Sequence, residues 1–277
     1  MEILKNIVIE GSKQKNIVLD VFYKADTIPK PVIILSHGFN GFKDWGHFNL
    51  LGKRFAEEDF VFVKFNFSYN GTTEENPLDF ADLEAFGNNN YSIELDDLGK
   101  VIDWVLGAEI IAAEIDKNKL NLLGHSRGGG ITILKANEDK RVKKIVTWAS
   151  VSNFISRMNG YDLKEWKQEG VLYSLNTRTN QQMPLYYQFY ENLIENTSRL
   201  DITKAAEELQ IPFLIIQGTL DEAVSFKEAE SLHNSCKHSE LFLIEGANHT
   251  FGAKHPFESS VLPAHAEIAV KKTIEFL

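Results

Sequence analysis

Cysteine is almost absent from this chain. Cys236 is the only one among 277 residues, so no internal disulfide can form, as is usual in a reducing compartment. Long apolar runs are missing as well. None approaches the roughly 18 residues that span a bilayer, and the opening Met-Glu-Ile-Leu-Lys-Asn lacks the basic stretch and apolar core of a secretory signal. A cytoplasmic protein with no membrane attachment is the expectation. Positive charge is also short, with 29 Lys and Arg against 39 Asp and Glu for a net charge of −10. Nucleic acid and anionic membranes would on average be repelled. No phosphate-binding P-loop occurs, and the glycine clusters lack the spacing and downstream acid of a dinucleotide site. His249, His255 and His265 lie near one another but match no helical His pair or Cys-His zinc spacing. The expectation is therefore no cofactor and no metal. With no repeat, low-complexity tract or interdomain linker, residues 1–277 read as a single domain.

What is present is a rhythm of strands and helices. Leu4–Glu10 and Asn16–Tyr23 are β-rich runs around a short polar turn, the pattern of a hairpin. Pro31–Ser36 is a continuous apolar run that empties into His37-Gly38-Phe39-Asn40-Gly41, as a buried parallel strand empties into a functional loop. Phe48, Leu51 and Phe55 recur at helical spacing, Phe60–Phe65 reads as a strand, and Leu95, Leu98, Ile102 and Val105 form a helical stripe. Lys119–Leu123 is a strand, the residues around Ile131 and Leu134 a helix, and Lys144–Ala149 another strand. The alternation resumes with a helix over 201–209, a strand over 212–217, a helix over 226–233, a strand over 240–244 and a closing helix through Val270 and Ile274.

Two stretches interrupt that rhythm. Residues 66–91 are polar apart from Phe80 and Phe86, and read as a long loop near the site. Residues 153–199 hold eight aromatics between Phe154 and Tyr190 without a sustained strand-helix pattern, and read as an inserted cap. Five of the eight tyrosines lie there. Tyrosine offers an apolar face with a polar edge, so Tyr186 and Tyr187 are candidates for a substrate pocket suited to aryl or short acyl groups.

The chemistry is concentrated in Leu122-Leu-Gly-His-Ser-Arg-Gly-Gly-Gly130, where an apolar strand stops at a serine bracketed by Gly124 and Gly128 and a helix begins. Glycines two positions either side permit a strained strand-to-helix turn with an exposed hydroxyl. A serine needs a base, and the base needs an orienting group. Ser126, Asp221 and His249 fill these roles in chain order, each just beyond the C-terminal end of an expected strand, where an open parallel sheet gathers its functional groups. The backbone N–H groups of Phe39 and Arg127 are the candidate oxyanion donors. His37 and His125 are assigned to structure, and the Arg127 side chain to a carboxylate the sequence does not identify.

These residues resemble the α/β-hydrolase superfamily over nearly the whole chain, on His37-Gly38-Phe39, Gly124-His125-Ser126-Arg127-Gly128, Asp221 with Val224, and His249. Within it the chain is similar to bacterial serine esterases of the dienelactone hydrolase and cinnamoyl or feruloyl esterase group, which share a His-Gly-Phe loop and a Gly-His-Ser elbow. Where those relatives show Arg-Gly-x-Gly-x-Ser after the fourth strand, this chain has Asn66-Phe67-Ser68-Tyr69-Asn70-Gly71-Thr72. A serine in place of the usual cysteine argues against dienelactone hydrolysis itself. The resemblance implies an eight-stranded, mostly parallel sheet flanked by helices, a cap after the sixth strand and no cofactor. The expected function is hydrolysis of a small-molecule carboxylic ester through an acyl-enzyme. A thioesterase, a peptidase of the same fold and a non-catalytic binding protein are the alternatives.

Overall fold

Ten strands and nine α-helices are built by the computed structural model, which describes residues 1–277. The hairpin β1 (Glu2–Glu10) and β2 (Asn16–Tyr23) is antiparallel, and β2 runs antiparallel to β4 (Val61–Asn66). Beyond β4 every pairing is parallel, through β3 (Lys30–Ser36), β5 (Ile115–His125), β6 (Val142–Trp148), β9 (Phe213–Gly218) and β10 (Ser239–Ile244). The eight-stranded order is β1-β2-β4-β3-β5-β6-β9-β10.

The continuous apolar runs of the central strands follow from helices covering both faces of the sheet. Successive side chains on a strand point to opposite faces, so each adjacent pair is divided between two cores. Ile34, Val63, Leu122, Ile145 and Ile215 join one core with α3 (Tyr91–Gly107), α4 (Arg127–Glu138), α7 (Ile202–Glu208) and α8 (Phe226–Ser235). Their neighbours Ile33, Phe62, Leu123, Val146 and Ile216 join the other with α1 (Phe48–Glu57) and α9 (Ala264–Phe276). None of these helices is long and apolar enough to cross a membrane.

Two boundaries differ from the sequence reading by four residues. β5 starts at Ile115, four residues before the expected Lys119, because the polar segment Asp116–Lys119 carries no hydrophobic signal yet Ile115 pairs with Lys30. α3 starts at Tyr91 rather than Leu95 because Asn90 caps it, accepting from the Ile93 amide. The 66–91 segment is largely loop, with a short α2 (Leu83–Gly87) capped by Asp82. Phe80 and Phe86 are buried there, and Phe86 packs on Phe39 at 5.6 Å.

The cap follows β6. It holds α5 (Leu163–Glu169), an antiparallel hairpin of β7 (Val171–Asn176) and β8 (Gln181–Tyr186), and α6 (Gln188–Glu195). The hairpin is separate from the main sheet. It is fastened by the buried Trp166, whose indole N–H donates to the Leu185 carbonyl at 2.9 Å.

A buried charged cluster supports the loop after β3. Lys64 Nζ lies 2.7 Å from Asp20 and 2.5 Å from Asp44, and Lys43 Nζ lies 2.9 Å and 2.6 Å from the same two carboxylates. Two cations face two anions, so each buried charge is compensated. Burial would raise the Asp44 pKa, but Lys64 and Lys43 outweigh it and hold it at about 2.

Candidate active site

Between β5 and α4 the chain turns at Ser126 with φ 57° and ψ −122°, a strained conformation for a residue with a side chain. The turn is fastened on both sides. The Ser126 amide donates to the Trp148 carbonyl at 2.9 Å, and its carbonyl accepts from Gly129 at 3.0 Å. A Cβ at Gly124 would lie 2.4 Å from the Gly128 carbonyl oxygen, and one at Gly128 would lie 2.3 Å from that of Ser36. Both obstacles are backbone, so the flanking glycines are required by the close approach of the chain itself.

The loop after β3 closes on this turn. A Cβ at Gly38 would sit 2.9 Å from that of Ser126. His37 Nδ1 lies 2.9 Å from the Gly38 carbonyl, which can only accept, so the ring carries its proton there. Its Nε2 then accepts from the Phe67 amide at 3.4 Å. Burial pushes the His37 pKa down to about 4, keeping the ring neutral. The Gly41 amide also donates to the Gly38 carbonyl, at 3.0 Å. A trans peptide directs its N–H opposite its C=O, so the Phe39 N–H points away from these partners and makes no bond within the protein. Arg127 is the first residue of α4, where a helix leaves its N–H unpaired. Two amide donors thus flank Ser126.

Asp221 and His249 come from loops after β9 and β10 that are stitched together. Thr219 N donates to Ile244 O at 3.1 Å, Leu220 N to Ala247 O at 3.0 Å, and Gly246 N to Thr219 Oγ1 at 2.9 Å. His249 Nδ1 consequently lies 2.9 Å from Asp221 Oδ2. The Asp221 carboxylate is fully buried. Burial would raise its pKa, but hydrogen bonds from His249 and from the Val224 and Ala223 amides outweigh that and lower it. An ionised carboxylate only accepts, so the His249 proton resides on Nδ1 and leaves Nε2 free to take one. Ser126 and His249 line the same cavity. No hydrogen bond joins hydroxyl and imidazole, a contact that commonly tightens when substrate binds.

Three partners were not legible in the sequence. Gln217 donates to Asp221 Oδ2 at 2.9 Å and to the Val224 carbonyl at 3.0 Å. His125 Nε2 lies 2.9 Å from the His249 carbonyl, to which it must be the donor. The Arg127 side chain pairs with Glu94 at 3.2 Å, nearly buried, with its guanidinium 4.4 Å from the Phe39 ring centre. The Ile93–Glu94 peptide gives no hint of that pairing, because helical spacing marks Glu94 only as a polar position.

Two cavities meet at Ser126 and Phe39. One, of about 290 Å³, has three hydrophobic residues among its 14 and includes His249, Asn176 and Arg178. The other, of about 220 Å³, is hydrophobic at 11 of 14 positions, among them Tyr91, Phe154, Trp166, Leu185 and Phe189. Tyr186 and Tyr187 line neither, which corrects the sequence expectation. Strand alternation turns Leu185 inward and Tyr186 outward, where the Tyr186 hydroxyl donates to Glu84 at 2.5 Å. Tyr187 packs on Trp166 and Tyr190, in the core of the cap. No three His, Cys, Asp or Glu side chains converge as metal ligands.

This architecture is shared with known proteins. The chain is 28% identical over 215 residues to an Escherichia coli protein, "Uncharacterized 31.7 kDa protein in traX-finO intergenic region", covering 74% of this chain and 68% of that one. Est1E from Butyrivibrio proteoclasticus, solved with ferulic acid bound, superposes with a TM-score of 0.75 at 16% identity, over 98% of this chain and 97% of that one. A putative dienelactone hydrolase from Klebsiella pneumoniae superposes with a TM-score of 0.63 at 16% identity, over 100% of this chain and 98% of that one. The family model of the prolyl oligopeptidase family matches residues 48–261, so the chain, an α/β hydrolase in fold, belongs to that family.

Proposed function

We propose that this protein is a serine hydrolase that cleaves carboxylic esters of aryl or short-chain acids through an acyl-enzyme. The observation that carries the reading is the pairing of His249 with a buried, ionised Asp221 at 2.9 Å, in a cavity shared with the strained Ser126. In this mechanism Ser126 Oγ attacks the ester carbonyl as His249 Nε2 removes its proton. The oxyanion is held by the Phe39 and Arg127 amides. His249 then protonates the leaving alcohol, and water enters to release the acid by the reverse sequence. Asp221 fixes the imidazole tautomer and stabilises the imidazolium throughout.

The apolar cavity supports the substrate class. An apolar cavity of about 150 Å³ is enough to bind benzene, so about 220 Å³ suits a single ring with a short linker. The family name points to peptide bonds, which makes an amidase the second reading. Two bounded cavities favour a small molecule, because an extended peptide requires a continuous groove or an open strand edge. Ester hydrolysis predicts fluorophosphonate labelling that depends on Ser126, and matched ester, thioester and amide substrates of one aryl acid turned over fastest as the ester. Labelling that survives Ser126→Ala sinks the mechanism, and preference for the amide replaces the esterase by a peptidase.

A further inference from the structure

The two cavities are not equivalent with respect to the base. His249 lines only the polar one. In acyl transfer the imidazole delivers its proton to the departing oxygen, so the alcohol portion of the substrate occupies the polar cavity and the acyl portion the apolar one. What lines the polar cavity therefore selects the leaving group.

No aspartate or glutamate lines it, although the chain carries 39 of them and a net charge of −10. Arg178, which follows β7 in the cap, is its one permanent cation. Three of the histidines that line it, His37, His125 and His255, favour the neutral form. Burial pushes His37 to about 4 and His125 to about 3, and burial together with Arg178 lowers His255. The arginine is held in place by aromatic faces, its guanidinium carbon lying 5.6 Å from the Phe42 ring centre and 6.0 Å from that of Phe80. Its single side-chain partner is Asp79 at 3.1 Å, whose carboxylate is 66% exposed. A pair of that kind is weak and screened by solvent. Of the five N–H donors of a guanidinium, the others have no acceptor in the protein.

We propose that the polar cavity is an anion subsite for the leaving group, and that Arg178 selects esters whose alcohol portion carries a carboxylate. One cation balances one monoanion, and the planar guanidinium matches a planar carboxylate with two parallel hydrogen bonds. This rests on the hydrolase reading above. The bond broken is the acyl carbon–oxygen bond, and the bond formed is that carbon to Ser126 Oγ. The proton taken from Ser126 leaves on the alcohol oxygen, so a hydroxy acid is released, and water alone completes the cycle.

The test compares 3-phenylpropanoyl esters of lactate and of lactamide, which differ in the leaving group only by carboxylate against neutral amide. The wild type should favour the lactate ester in kcat/KM by about 10- to 100-fold, the range of one hydrogen bond to a charged group. Arg178→Met should bring that ratio close to one, and Arg178→Lys should retain part of it. Asp79→Asn, which frees the guanidinium of its exposed partner, should raise it. Because the readout is a ratio within each variant, partial misfolding cancels. A wild-type ratio near one, or the same ratio in Arg178→Met, overturns the subsite while leaving the hydrolase reading intact. Failure to cleave either ester, with no fluorophosphonate labelling of Ser126, overturns both.

Discussion

Four histidines, His37, His125, His249 and His255, line the cavity in front of Ser126, and their hydrogen-bond partners separate their roles. His37 and His125 donate to backbone carbonyls and are driven to about 4 and 3 by burial, while His255 Nδ1 accepts from the Gly46 amide. His249 alone faces a carboxylate across a hydrogen bond. In the proposed mechanism Ser126 is the nucleophile, so Ser126→Ala should lower kcat by about 10⁶, and adding His249→Ala to it should cost little more, since members of a triad act as a unit. Single-turnover assays on a nitrophenyl ester measure both, and additive losses would show that the two groups work independently. Asp221→Asn should lower kcat by about 10⁴ through the wrong imidazole tautomer; near-full turnover would transfer the role to the adjacent Glu222. His125 belongs to a different class, because it touches the backbone of His249 and acts by position. His125→Leu should reduce kcat by between about 10- and 100-fold with KM little changed, as expected when a catalytic group is displaced by a fraction of its reach. A rise in KM at constant kcat would place the ring in substrate binding instead.

At the scale of elements, the loop after β3 owes its position to the charged cluster beneath it as much as to glycine. Asp44 titrates at about 2 in the folded chain against an ordinary value of 3.8. A lowered carboxylate pKa stabilises the fold above the unfolded value, and that stabilisation is lost as pH falls through the folded one. The difference corresponds to about 2 kcal/mol, lost for the most part between pH 5 and pH 2. Urea unfolding of the wild type should register that loss, and Asp44→Asn should show a shallower acid dependence on top of a lower stability at pH 7. Parallel acid profiles in the two proteins would remove Asp44 from the account. The elbow provides a second case. Gly128→Ala pushes a Cβ within 2.3 Å of the Ser36 carbonyl oxygen, and backbone cannot yield as a flexible side chain does. The variant should lose activity together with thermal stability, unlike Ser126→Ala, which should keep its melting temperature.

For the molecule as a whole, the sheet carries Ser126, Asp221 and His249, and the cap supplies much of the wall of the two cavities beside them. The cap contributes Phe154, Trp166, Leu185 and Phe189 to the apolar cavity and Asn176 and Arg178 to the polar one. Leu185→Trp should fill the apolar side and depress turnover of a 3-phenylpropanoyl ester well below that of the matching acetate, with the two substrates compared by kcat/KM. Equal losses on both would mean that acyl groups do not enter there. A series of nitrophenyl esters from short to long acyl chains should peak at the short or aryl end, because about 220 Å³ cannot hold an extended lipid chain, and a maximum at the long end would make the cap a lipid-binding lid.

The sequence by itself determined the eight strands of the main sheet, the elbow and the chain order Ser126, Asp221, His249, because these are local properties, whereas the cap hairpin of β7 and β8 carried no such signal. An apolar run of five or six residues, a glycine two positions from a serine and a polar residue at a strand's end are each written within a short window. Even the division of the core into two layers follows from alternate side chains on each strand. Only the tertiary structure decided which of the remaining side chains meet. Glu94 under Arg127, Gln217 behind Asp221 and His125 against the His249 carbonyl are 33, 4 and 124 positions apart in the chain, respectively. The first and last carry no local signal, and Gln217 lies within an apolar strand where it reads as a lapse in the pattern. The cap shows the same limit. Its aromatic content was plain, but which side chains face the cavities depends on the phase of β8 and the placement of α6, which turned Leu185 and Phe189 inward and left Tyr186 and Tyr187 outside the cavities. Arg178 was one charge among many in sequence, and its isolation in a cavity without carboxylates exists only once the cap has folded over the sheet.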